Sequence, residues 1–332
     1  MSPLPSGDTI EQAVRLSGRA PSLHNSQPWH WVFDGATLHL FSVRERILPA
    51  TDDSGRQMLI SCGLALGHLR AALAAAGWQT RVAYFPNPTR HDHLATVTFE
   101  PSRIVTDADL DRAAAIETRY TDRLPFTAPD DWRDFEPILP VIVDPLDAVV
   151  TVLPPEARSE LAHASRLTAA MRRYDSGYQA ELQWWAGHSL DAEGIPPTAR
   201  LSAEERERVE VNRVLPAVPG EPRRTEIDDD RSVVVVVSSG DSSADHLRCG
   251  EALSNILLEC TVAGYATCPL THVTELPRSR ALIRTLTGRD EQPQALIRIG
   301  SVPASEQRQP RTPRLPLAQI LQVTAPAAAT SE

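Results

Sequence analysis

Cys62-Gly63-Leu64-Ala65-Leu66-Gly67-His68-Leu69 returns later in the chain as Cys249-Gly250-Glu251-Ala252-Leu253-Ser254-Asn255-Ile256. The offset, 249 − 62 = 187, also pairs Ala76-Gly77-Trp78 with Ala263-Gly264-Tyr265. Each copy reads as a long apolar helix that stops at a glycine, where the left-handed backbone of a C′ position is cheapest. A strand recurs in kind after each helix, Leu94 to Phe99 and Ala295 to Ile299. The repeat predicts two related halves fused end to end, a single-chain version of a symmetric dimer. The length agrees, since 332 residues exceed a typical single domain.

Hydrophobic residues make up 42% of the chain, enough for a sizeable core. The balance of 33 basic and 43 acidic residues, a net charge of −10, argues against a nucleic-acid surface. All 33 basic residues are arginine. Any anion site is therefore built from arginine, histidine or backbone amides, and lysine Schiff-base and Walker-type mechanisms are excluded. Cys62, Cys249, Cys260 and Cys268 form no C-x-x-C pair and have no ligand-like spacing with histidine. No metal site is expected, and reduced thiols fit a cytoplasmic protein. The N-terminus lacks an apolar signal-like segment, and the uncharged apolar runs read as too short to cross a bilayer, so no membrane association is expected. There is no G-x-G-x-x-G, Walker loop or G-x-S-x-G elbow.

Ala20-Pro21-Ser22-Leu23-His24-Asn25-Ser26-Gln27-Pro28-Trp29 gathers small polar side chains on one turn. A helix leads into it, with Ile10, Val14 and Leu16 near helical spacing behind Ser6 or Asp8 as N-caps. Two β-rich runs leave it, Trp29 to Phe33 and Thr37 to Val43, joined through Asp34-Gly35, a strong hairpin signal. Trp29 and Trp31 alternate on one strand face and read as core anchors. Such a turn can offer amides, a hydroxyl, an imidazole and two carboxamides to a planar ligand; taken alone, it reads equally well as a capped, exposed turn. Downstream, Arg119-Tyr120-Thr121-Asp122-Arg123 follows a helix over Asp107 to Glu117, and its alternate arginines and hydroxyl can converge on a phosphate.

Together these features resemble the FMN-dependent nitroreductase family. The resemblance rests on Ala20 to Trp29 for the family's A-P-S-x-x-N-x-Q-P-W turn and on Arg119 to Arg123 for its R-x-S-x-R motif, with threonine in place of serine. It rests further on Gly264-Tyr265-Ala266-Thr267-Cys268 after the central helix and on Arg314-Leu315-Pro316-Leu317 near the end. In that family the turn and the arginine motif come from different protomers of a homodimer. Here one polypeptide carries both, which is similar to the tandem, dormancy-associated Acg-type subfamily of mycobacteria.

The resemblance implies an α+β fold of two nitroreductase-like halves, β-sheets flanked by helices, forming a single-chain pseudo-dimer. Residues 1–105 make the first half, and residues 106–332 make the second, with a helical insertion at about 155–230. It implies FMN as cofactor and NAD(P)H as reductant. Arg119 and Thr121 become phosphate ligands, completed by Arg314 and Arg311. Arg123 reaches the N1/O2 edge of the isoalloxazine, where a cation stabilises reduced flavin. Pro21, Ser22, His24, Asn25 and Gln27 meet the ribityl chain and the pyrimidine edge, and Thr271 and His272 approach flavin N5. No side chain is an obligatory acid or base, because N5 does the chemistry. Residue by residue, His24 also reads as an ordinary turn histidine, and Arg311 and Arg314 as partners of surface acids.

The chain departs from the family between about Pro155 and Asp230. In place of a second P-S-x-x-N turn it has a helical stretch over Glu156 to Trp185, then Gly194-Ile195-Pro196-Pro197 and a charged segment, Ala203 to Arg213. One FMN per chain is therefore expected, with a monomer sufficient for the site. The insertion reads either as a lid over the flavin or as a helical pair extending the core. Two functions follow. One is an NAD(P)H-dependent oxidoreductase of nitro or quinone compounds; the other is a non-catalytic store that sequesters FMN beneath a lid.

Overall fold

The two repeat helices lie against each other and organise the whole molecule. In the computed structural model, which describes residues 3–187, 192–303 and 310–324, α2 (Arg56–Ala75) and α8 (Ser243–Val262) form the most extensive helix pair. A Cβ on Gly63 would stand 2.0 Å from the Leu247 carbonyl oxygen, and one on Gly250 would stand 2.2 Å from that of Ile60. Ile60 and Leu247 are themselves related by the repeat offset, 247 − 60 = 187, so the two contacts are reciprocal. Glycine at both positions lets the backbones touch. By length and composition α2 could cross a membrane, against the expectation from the shorter uncharged runs, but most of its side chains are buried in this pairing.

An α+β architecture surrounds the pair. The first sheet has the order β3-β4-β2-β1-β9 and comprises β1 (Trp29–Phe33), β2 (Leu38–Ser42), β3 (Trp78–Tyr84), β4 (His93–Pro101) and β9 (Leu321–Val323). The hairpin runs as expected: Phe33 pairs with Leu38, and the amides of Ala36 and Thr37 donate to Asp34 Oδ1 at 2.9 and 2.7 Å. Trp29, Trp31, Leu38 and Leu40 are buried in the core. His93 is the first residue of β4 and is half-buried against His39 and Thr96.

The second sheet, β5-β6-β8-β7, comprises β5 (Val149–Val152), β6 (Val233–Ser239), β7 (Ala266–Leu270) and β8 (Gln292–Gly300). The valine run of β6 lies between β5 and β8 and is almost entirely buried, as a central strand requires. The chain then returns: β9, from the stretch assigned by sequence to the second half, pairs in parallel with β1, Trp31 opposite Leu321. It covers an edge of the first sheet that would otherwise expose unpaired backbone.

α1 (Gly7–Ser17) is capped by Ser6, which accepts from the Thr9 amide, and α3 (Asp107–Thr118) opens with a Thr106/Asp109 capping box. α4 (Trp132–Phe135) is a single turn. Between β5 and β6 lie α5 (Arg158–Arg172), α6 (Ser176–Gly187) and α7 (Ala203–Glu207). The helix expected over Glu156 to Trp185 is thus two helices. It breaks because Asp175 Oδ1 accepts from the Tyr178 amide at 3.0 Å, acting as a new N-cap. α9 (Pro277–Thr287) and the short α10 (Leu317–Ile320) complete the helices among the described residues.

Candidate functional site

The Pro21 to Pro28 turn holds its side chains in a backbone that few residues tolerate. His24, Asn25 and Gln27 have φ of 50°, 61° and 50°, each costing on the order of 1 kcal/mol. Tertiary bonds hold this strain in place. Ser22 Oγ accepts from the Gln27 amide at 2.9 Å, and Gln27 Nε2 donates to the Ala192 carbonyl at 2.8 Å. Gln27 Oε1 accepts from the Leu315 amide at 2.9 Å, and Asn25 Nδ2 donates to the Pro313 carbonyl at 3.2 Å. The turn is thereby tied to the C-terminal segment.

Three guanidiniums converge beside it. Arg119 follows the last turn of α3, its amide still donating to the Ala115 carbonyl at 2.8 Å, and its Nη2 donates to the Arg19 carbonyl. Arg314 donates to the carbonyls of Arg19 and Ala20 at 3.2 and 3.3 Å, and Arg19 donates to that of Thr312 at 3.2 Å. None of the three has a carboxylate within bonding distance among the described residues. The Nε atoms of all three, and Nη1 of Arg119, are buried without a partner among those residues. Burial and mutual repulsion push Arg119 down to about 10 and Arg314 well below the ordinary arginine value. Three converging cations, one buried and two half-buried, with no carboxylate bonded to them among the described residues, call for a multivalent anion.

They line one end of a cavity of about 350 Å³, together with Ser22, Asn25, Glu117, Thr121 and Arg123. A narrower chamber of about 90 Å³ shares Pro21, Ser22, Thr121, Arg123 and Ile195 with it and adds His24, Gln57, Arg213 and Thr271. Both ring nitrogens of His24 and Oε1 of Gln57 are buried there without partners among the described residues. Desolvation, then Arg213 and Arg123, hold His24 well below its ordinary pKa, so its ring is neutral.

Buttresses behind the arginine motif fix its direction. Asp122, fully buried, pairs with Arg224 of the insertion and accepts from the Leu124 amide at 3.0 Å. Arg298 is held by Asp230 at 2.6 Å and donates to the Leu124 carbonyl at 2.9 Å. Arg123 can then project into the cleft, where its Nη1 donates to the Ala199 carbonyl at 3.1 Å.

Of the residues proposed from sequence, Pro21, Ser22, His24, Asn25, Arg119, Thr121, Arg123, Thr271, Arg311 and Arg314 line these chambers. Gln27 does not; both ends of its carboxamide are used to hold the turn. His272 turns away from the cleft, its Nε2 lying 2.8 Å from Ser165 Oγ. Arg311 stands at the rim with its side chain 62% exposed, 3.8 Å from Glu117, the surface pairing that its sequence also allowed. Sequence reading missed Arg19, Gln57 and Arg213. Arg19 adjoins the turn and could have been found from the need for arginine at any anion site; Arg213, far downstream of Arg123, carries no local signal. Among the described residues no three histidine, cysteine or acidic side chains are arranged to hold a metal.

His24 and His272 predict acid sensitivity. Both are buried with folded-state pKa values well below 6.5, so the unfolded chain takes up their protons first as pH falls. Each is expected to remove roughly 1.4 kcal/mol of stability per pH unit below about 6.5. Urea midpoints at pH 7.5, 6.5 and 5.5 measure this; equal midpoints throughout would refute it.

No family model matches the chain. Two Mycobacterium tuberculosis (strain ATCC 25618 / H37Rv) proteins named "Putative NAD(P)H nitroreductase" do resemble it. One, acg, is 48% identical over 319 residues, covering 96% of each chain. The other, Rv3131, is 33% identical over 333 residues, covering 96% of this chain and 92% of its own. This chain belongs to the Acg-type nitroreductases. A solved FMN and NADPH-dependent nitroreductase, NfnB from a Sphigopyxis strain, covers 64% of this Acg-type chain and 97% of its own at 16% identity, with a TM-score of 0.41.

Proposed function

We propose that the chain is an FMN-binding, NAD(P)H-dependent oxidoreductase of nitro or quinone compounds. In this reading two nitroreductase-like halves, meeting near residue 105, form a pseudo-dimer with one FMN per chain. The observation that carries it is the convergence of Arg19, Arg119 and Arg314, none with a carboxylate in bonding distance among the described residues, at one end of a cleft whose other end holds His24 and Gln57 atoms unpartnered among those residues. This donor set fits FMN: a cluster of guanidiniums for a phosphate dianion, hydroxyl and carboxamide groups of Ser22 and Asn25 for ribityl hydroxyls, and a narrow, largely apolar chamber with a few polar groups for a flat heterocycle. The chemistry supplied at the cleft is hydride exchange at flavin N5, from NAD(P)H to a nitro or quinone acceptor.

The chain's own residues bind and tune. Arg19, Arg119 and Arg314 anchor the phosphate. Arg123, half-buried and lining the cleft, stabilises negative charge in the narrow chamber. His24, kept neutral, can donate from one ring nitrogen and accept at the other.

The reciprocal Gly63 and Gly250 contacts support the pseudo-dimer. At the same repeat offset, Thr271, Leu64 and Ser61 correspond to Tyr84, Glu251 and Arg248. There the Tyr84 hydroxyl donates to Glu251 at 2.7 Å, Arg70 pairs with Glu251, and the Arg248 guanidinium lies 4.8 Å over the Tyr84 ring. These side chains occupy positions equivalent to part of the narrow chamber's lining, which supports a single site. Denaturing release of flavin from the purified protein, compared with chain concentration, is expected to give one FMN per chain; two would refute the asymmetry, and none, even after added FMN, would overturn the proposal.

One observation favours the second reading, an FMN store in a reducing cytoplasm. Residues 192–199 run across the cleft: Ala192 accepts from Gln27, Glu193 pairs with Arg46, and Ile195 lines both chambers. Anaerobic stopped-flow mixing with NADPH separates the two. Rapid bleaching of the flavin band is expected for the oxidoreductase, and no bleaching in excess NADPH would leave the store.

A further inference from the structure

A separate cavity of about 440 Å³ lies on the far side of Arg213 from the cleft. α5, the start of α6 and the stretch from Arg206 to Val214 build it, and His272 supplies one wall. The insertion therefore makes most of it. Its charge is unbalanced. Arg172 and Arg213 are offset by Asp175 and Glu275, with Arg172 3.1 Å from Asp175. Arg206, by contrast, donates to the Leu215 carbonyl at 2.8 Å and has no carboxylate partner among the described residues, and Arg173 lies over the Tyr174 ring, likewise without one. Two net positive charges remain, and no acidic side chain among the described residues lines the cavity.

His272 supplies the second observation. It is 3% exposed, and its Nδ1 has no partner among the described residues although its ring lines this space. Its Nε2 lies 2.8 Å from Ser165 Oγ, and the Ser165 hydroxyl donates to the Asn212 carbonyl at 3.1 Å. The Ser165 hydroxyl gives its one proton to the Asn212 carbonyl, so Nε2–H donates to Ser165 Oγ and Nδ1 keeps its lone pair as an unfilled acceptor. A hydrogen-bond acceptor beside the guanidiniums of Arg206 and Arg173 suits an oxyanion of two charges that still carries a hydroxyl, such as hydrogen phosphate, whose P–OH donates to Nδ1 while its oxygens accept from arginine.

We propose that this cavity is a second anion site, independent of the flavin cleft, which takes a small dianionic oxyanion of the phosphate class. Inorganic phosphate is the probe, titrated calorimetrically into the protein as purified with its flavin, at constant chloride and ionic strength. One saturable site is expected, weakened about tenfold or more by Arg206→Gln or by the exposed Arg173→Gln and unaffected by Arg119→Gln, which lies in the cleft. Acetate, a monoanion, is expected not to displace phosphate. The proposal is overturned if no saturable binding is seen, if both Arg206→Gln and Arg173→Gln leave binding unchanged, if Arg119→Gln abolishes it, or if acetate competes equally. Because the readout is phosphate binding, loss of the FMN assignment and loss of this one give different results.

Discussion

Gly63→Ala is expected to abolish folding. The added methyl would lie 2.0 Å from the Leu247 carbonyl oxygen and 2.9 Å from the Gly250 Cα, both backbone atoms that no rotamer change can move. α2 and α8 would have to separate, and α2 alone buries Leu59, Ile60, Leu64, Leu66, Leu69 and Leu73 in the core. Overpacking a core ordinarily costs about 1–3 kcal/mol, but a clash between backbones forfeits burial along the whole interface. A loss of at least about 5 kcal/mol is expected, comparable with the entire stability of many domains. Gly250→Ala is expected to match it, since its Cβ would lie 2.2 Å from the Ile60 carbonyl oxygen. Gly7→Ala is the control: a Cβ there meets nothing within 4 Å, and a change within about 0.5 kcal/mol is expected. Soluble yield and urea midpoints are the measurements; a Gly63→Ala protein with a midpoint near that of the parent would disprove the account of the helix pair.

Replacing Arg119 and Arg314 together by glutamine is expected to remove FMN binding while making the flavin-free protein more stable. Arg119 is buried and Arg314 half-buried, and they repel one another and Arg19. For Arg119, a fall from 12.5 to about 10 corresponds to about 3 kcal/mol held against the empty fold at neutral pH. The sign follows from the lowered value: the cost is present while the folded side chain is protonated and fades as pH rises through about 10. Each charge-assisted contact contributes about 1.5–3 kcal/mol, so losing two arginines is expected to weaken FMN by about 10²–10⁴-fold. Titration of the flavin-free protein with FMN and with riboflavin provides the check, since riboflavin lacks the phosphate and its affinity should change little. Unchanged FMN affinity would mean that the phosphate binds elsewhere, and a lower melting temperature would mean that the arginines stabilise the fold by contacts other than those seen.

The hairpin through Asp34-Gly35, the capped helix behind Ser6 and the two repeat helices were legible because each is encoded by neighbouring residues. The Asp175 break escaped notice because a cap is a single side-chain choice in an otherwise helical run. The pairing of the C-terminal strand β9 with β1 was not legible for a different reason. So short a strand carries almost no periodic signal, and an unpaired sheet edge near the opposite end of the chain decides where it pairs.

Within the site the same division holds. Pro21 to Gln27 and Arg119 to Arg123 stand out because their residue types are crowded at short spacing, which also made Gln27 look like a ligand. Its fate as a brace between Ala192 and Leu315 depends on segments far away in the chain. His272 likewise was aimed by Ser165, on a helix of the insertion.

By itself, then, the sequence determined two repeated helices, a polar turn present once and an arginine motif present once, because local composition and periodicity encode each of them. Only the tertiary structure decided that Arg19 joins Arg119 and Arg314, that Arg213 walls the cleft and that β9 closes the first sheet. Those outcomes depend on which backbones can touch, and two glycines at equivalent places in the repeat, each admitting the other helix's carbonyl, fix that geometry.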